Sequence, residues 1–124
     1  MTAAALRALL LRCDAVAPAC ARPALAVALR SLDGDASVTA LRDAAADLRT
    51  AYERAAPPRV GCVRTAREAH ADRFRTPWCD PCDDPAELRP LAACVAAVYA
   101  AEAPATGERA SRVGYYQRAA EAWL

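Results

Sequence analysis

The chain has 124 residues, 16 basic and 15 acidic side chains, a formal charge of +1 and a 56% hydrophobic share, much of it alanine. That length suits a single domain with a core of its own, and the charge balance lacks the basic excess of proteins that hold nucleic acid or anionic membrane by charge. Lys, Ile and Asn are absent, so every basic residue except His70 is arginine, and chemistry that needs a Schiff-base or phosphate-binding lysine is excluded.

Thr2 suits the cap of a first helix running through Cys13, with Leu6, Leu9, Leu10 and Cys13 on one face and Pro18 as its stop. Arg7, Arg12, Asp14, Pro18 and Arg22 interrupt this apolar amino-terminal stretch. It therefore has neither an unbroken signal-peptide core nor the length of a membrane span. The expectation is a cytoplasmic protein without membrane contact, whose cysteines are reduced thiols or metal ligands. A short second helix after Pro23 uses Leu25, Ala28, Leu29 and Leu32 and stops at Asp33-Gly34. Ser37 suits the cap of the longest helix, which runs to Ala56 before Pro57-Pro58. Its stripe is Val38, Leu41, Ala45, Leu48, Tyr52 and Ala55, in alternating steps of three and four.

A polar, arginine-rich helix is predicted over Cys62 to Arg75, followed by a rigid turn region from Thr76 to Asp83. Asp84, Pro85 and Glu87 read as cap, first and third positions of the next helix. That helix points Leu88, Leu91, Val95, Val98 and Tyr99 inward and ends near Ala103-Pro104. A last helix from about Gly107 to Trp123 has Val113, Tyr116, Ala120 and Trp123 at helical spacing. No segment alternates as a strand does. The predicted fold is all-α: a compact bundle of five or six helices in a single domain, with a core centred on Leu41, Leu48, Tyr52, Leu91, Val95 and Val98.

The sharpest local motif is Trp78-Cys79-Asp80-Pro81-Cys82. It resembles the Trp-Cys-Gly-Pro-Cys active site of thioredoxins, with Asp80 in the place of glycine. The resemblance implies a redox pair at a helix start, where the helix dipole lowers the first thiol's pKa. It is confined to this segment, because the thioredoxin fold needs strands on both sides and the pattern here supplies helices. The same cysteines also suit a structural zinc site. Cys79 and Cys82 form a knuckle, and His70 and Cys62 extend it to C-x7-H-x8-C-x2-C, with Cys94 able to replace either distant ligand. The cofactor expectation is accordingly none, or one structural zinc. Against both stands the plainer reading of these cysteines as structural thiols or one oxidised pair, and of Cys13 and Cys94 as small buried hydrophobes.

His70 lacks a nucleophile and an orienting carboxylate on its own face, since Glu68 and Asp72 lie two positions away, and it reads as a surface residue. Arg59, Arg64, Arg67, Arg73 and Arg75 are diluted by Glu68 and Asp72 and read as a solvated face. No Ser-His-Asp, paired-carboxylate or glycine-rich phosphate motif stands out. What remains is a noncatalytic helical protein acting through protein–protein contacts, as an assembly, adaptor or accessory subunit with a protein partner or further copies of itself. The alternative is a zinc-binding or thiol-redox regulator centred on Cys79 and Cys82. Adjacent helix positions point about 100° apart, so with Tyr116 inward, Tyr115 is expected outside. Together with Leu124 it is expected on an apolar patch that a partner covers.

Overall fold

The computed structural model describes residues 2–55, 86–105, 107 and 110–124. Among them are five α-helices and no strand: α1 (Ala3–Val16), α2 (Arg22–Leu32), α3 (Val38–Ala55), α4 (Arg89–Ala105) and α5 (Ala110–Trp123). Short 3-10 turns at Ala19–Ala21 and Ala86–Leu88 lead into α2 and α4.

The helix ends follow local chemistry. Thr2 caps α1, its hydroxyl accepting from the Ala5 N–H at 3.1 Å, and Ser37 caps α3, accepting from Ala40 N–H at 3.0 Å. α1 runs one turn past Cys13 to Val16 before Pro18 ends it. After α2 the chain closes a Schellman motif. The Asp35 N–H bonds the Arg30 carbonyl at 2.9 Å and the Gly34 N–H bonds that of Ser31 at 3.1 Å, with Gly34 at φ +77. The Arg7 guanidinium reaches back from α1 to the Asp33 carboxylate at this corner, an exposed ion pair that stabilises little.

The start of α4 differs from the expected one. Its α-helical turns begin at Arg89, after a 3-10 turn at Ala86–Leu88, rather than at Pro85. Pro90 is the cause: it has no N–H to give the Ala86 carbonyl, so α-helix cannot run through it from upstream. At the second helical position that missing donor costs nothing, because the N–H would be unpaired there anyway.

α4 is the centre of the molecule, packed on α5 along its length and touching α1, α2 and α3 as well. Every residue from Leu91 to Val98 is buried, as are Ala100, Ala101 and Ala103. The expected one-sided stripe is therefore replaced by burial all round, and Leu88 and Tyr99 at its margins are only half-buried. A helix apolar on every side belongs in the interior, and its alanines let four neighbours approach closely. The sulfur contacts between α1 and α4 described below reach main-chain carbonyls directly, which only closely packed helices allow.

The expected core residues Leu41, Leu48, Tyr52, Leu91, Val95 and Val98 are all buried. They share one cluster with Leu9, Leu10, Leu25 and Trp123. A second cluster of Leu6, Ala100, Ala103, Val113 and Tyr116 closes the α1–α4–α5 end. The two ends of the α3 stripe do not reach this core: Val38 is 40% exposed and Ala55 is exposed too. No helix among the described residues is long and apolar enough to cross a membrane.

Candidate functional site

α5 sorts its aromatic residues by position. Val113, Tyr116, Ala120 and Trp123 are buried, as their spacing requires, whereas Tyr115 is 40% exposed. The Tyr115 ring nevertheless does not hang free. It meets Tyr116 edge-on with centroids 5.5 Å apart, and Tyr116 in turn lies 5.4 Å from Tyr99 of α4. Such tilted and edge-to-face pairs suit the ring quadrupole and add stabilisation beyond burial. The row thus runs from the bundle interior to the surface and ends on an ordered phenol.

Leu124 is also exposed, at 41%, and its N–H continues the helical pattern by bonding the Ala120 carbonyl at 3.1 Å. It lies nine positions beyond Tyr115, which on an α-helix is a net rotation of about half a turn. Tyr115 and Leu124 are therefore two separate exposed points on different sides of α5.

Tyr99 connects the row to α3. Arg49 donates through Nε to Glu53 at 2.9 Å. Burial raises the Tyr99 pKa above its usual value, and the Arg49 guanidinium only partly opposes this. For Arg49, burial pulls the pKa down, but Tyr99 and Glu53 outweigh it and raise it. The group sets the Arg49 charge of α3, paired with Glu53 of the same helix, near the Tyr99 phenol of α4.

Cys13 of α1 and Cys94 of α4, 81 residues apart in sequence, face each other in the core, both fully buried and both free thiols. The Cys13 thiol contacts the Ala93 carbonyl and the Cys94 thiol the Cys13 carbonyl, each at 3.8 Å. The neighbouring Cys13 thiol and burial hold Cys94 well above the ordinary thiol range, whereas Cys94 and Arg12 lower Cys13 against the opposing effect of burial. Each cysteine reads locally as a small buried hydrophobe; their pairing has no signal in the sequence.

A cleft of about 290 Å³ lies between α2 and α3, lined by Cys20, Pro23, Val27 and Ala44 with the Asp43 and Asp47 carboxylates at one side. Both carboxylates are exposed, so the cleft offers an apolar wall and two solvated charges. Among the described residues, no group of three or more His, Cys, Asp or Glu side chains is arranged to hold a metal ion. The expected zinc ligands Cys62, His70, Cys79 and Cys82 fall outside the described residues, as do the thioredoxin-like segment and the arginine cluster. Comparison with protein-family models, with curated proteins and with solved structures finds no match to this chain.

Proposed function

We propose that this is a noncatalytic helical protein that works through protein–protein contacts, as an assembly, adaptor or accessory subunit, with Tyr115 as an anchor of the contact. The observation that carries the reading is the exposed Tyr115 ring, held edge-on against Tyr116 at 5.5 Å. A tyrosine already oriented by its neighbour loses little side-chain freedom when a partner covers it, and tyrosine is among the residue types that dominate interface energies. The bundle beneath it supplies a rigid platform, because Tyr116 is buried between α4 and α5. The reading goes with a cytoplasmic location, where thiols stay reduced.

The experiment is light scattering, together with affinity capture from the native source, on the parent chain beside Tyr115→Ala. Loss of an oligomer or of a specific partner in the variant, with unchanged helicity and Tm, supports the proposal. The same assembly state and the same partners in both proteins would remove Tyr115 from the interface and this reading with it.

A further inference from the structure

The buried Cys13 and Cys94 thiols are used by nothing in the proposed contact surface. We propose that they form a redox-active pair which closes to a disulfide, cross-linking α1 to the central helix α4, on exposure to a small-molecule disulfide such as oxidised glutathione. Three observations meet here. The thiols sit on two helices that pack directly together. They reach into the same space, Cys94 Sγ lying 3.8 Å from the Cys13 carbonyl and Cys13 Sγ 3.8 Å from the carbonyl of Ala93, next to Cys94 in the chain. Both are free thiols, fully buried in the same core cluster, and a bridge would bring their sulfurs to the roughly 2.05 Å of a disulfide.

The order of the two steps follows from the charges around each thiol. Cys13, whose pKa Cys94 and Arg12 lower against the opposing effect of burial, supplies the thiolate. It attacks one sulfur of the small disulfide, forming a mixed disulfide at Cys13 and releasing one small thiolate. Cys94 then gives up its proton and attacks the Cys13 sulfur, which displaces the second small thiolate. Two protein thiols lose two electrons, one small disulfide gains them and becomes two thiols, and the two protons pass to those thiols. Because both cysteines are buried, the first attack requires α1 to open locally, which makes the reaction slow and dependent on native-state fluctuation.

The bridge ties residues 81 apart. Constraining a loop of that length in the unfolded chain raises Tm by on the order of 10 °C. The test incubates the reduced full chain with oxidised glutathione to equilibrium, alkylates it under denaturing conditions and maps disulfides by mass spectrometry. Cys13 and Cys20 share one tryptic peptide, and Cys79, Cys82 and Cys94 share another, so a Cys20→Ser, Cys79→Ser, Cys82→Ser chain is mapped in parallel. The expected result is a Cys13–Cys94 link in both chains and a higher Tm in the oxidised parent. Recovery of Cys13 and Cys94 as alkylated thiols would overturn the proposal, as would pairing of either with another cysteine. The mapping on the parent chain stands even if the triple serine variant does not fold.

Discussion

The Arg89 guanidinium at the start of α4 lies 5.9 Å from the Trp123 ring centroid at the end of α5, and its Nη2 donates to the Ala122 carbonyl at 3.2 Å. One side chain thus covers an indole and bonds a carbonyl in the last helical turn, at a helix end that favours positive charge. Against this, Arg89 Nε is buried and has no hydrogen-bond partner among the described residues, a desolvation cost that offsets part of the gain. Arg89→Ala should therefore cost only about 1 kcal/mol of stability, but loosen the end of α5. In a Trp78→Phe background, Trp123 emission should shift to longer wavelength and the last amides of α5 should exchange faster. Unchanged emission would show that Trp123 is held without Arg89.

Leu48 and Val38 belong to one sequence stripe and differ in burial, at 2% and 40% exposed. Leu48→Ala opens a cavity where α3 meets the core and should cost about 2–5 kcal/mol. Val38→Ala should stay within about 0.5 kcal/mol of the parent. Urea unfolding of both variants checks the pair, and equal losses would contradict the placement of α3.

Two glycines should respond to alanine in opposite directions. Gly34 sits at φ +77 in the turn after α2, so Gly34→Ala forces a left-handed backbone on an L-residue and should cost about 1 kcal/mol. Gly114 is inside α5, and an added Cβ would meet only the Arg118 guanidinium, 3.2 Å away at the end of a flexible side chain. Gly114→Ala should gain up to about 1 kcal/mol from helix propensity. Thermal unfolding of the two variants reads the sign directly.

Alkaline pH should destabilise the fold through Cys94 and Tyr99. Both are held above their ordinary values in the native state, so above about pH 9 the unfolded chain gives up protons that the native chain retains. Stability then falls as pH rises, by up to about 1.4 kcal/mol per pH unit for each proton. Cys13 works oppositely: its lowered value contributes stability that is lost as pH falls through the folded pKa, and it adds no slope above the ordinary thiol range. Because Cys94→Ala alone leaves Cys13 as a buried thiol raised by burial, the decline between about pH 9 and 10 should be shallower only in the double variant Cys13→Ala, Cys94→Ala, and Tyr99→Phe should flatten the remainder above about pH 10. Tm measured against pH in the three proteins tests this, and an unchanged slope in the double variant would contradict the buried-thiol geometry.

What the sequence by itself determined was local or periodic. Thr2 and Ser37 sit one residue before their helices with hydroxyls placed to cap them, and Asp33-Gly34 ends α2 because glycine accepts the left-handed turn. The spacing of Leu41, Ala45, Leu48 and Tyr52, and of Val113, Tyr116, Ala120 and Trp123, assigned their inward faces, and the 100° step between neighbours turned Tyr115 out. Pro90 marks the helix start in the sequence as plainly as Asp84 and Pro85 do, and its missing N–H puts the first α-helical turn at Arg89. Tertiary structure alone decided that α4 is the centre. From Leu91 to Ala101 it has no charged residue to mark an outer face, so its pattern carries no direction, and only the packing of four other helices around it buries every side. The same packing brought Cys13 against Cys94 and Arg89 against Trp123, because contacts between residues far apart in the chain depend on how helices stack, and nothing in either segment's own periodicity encodes its partner.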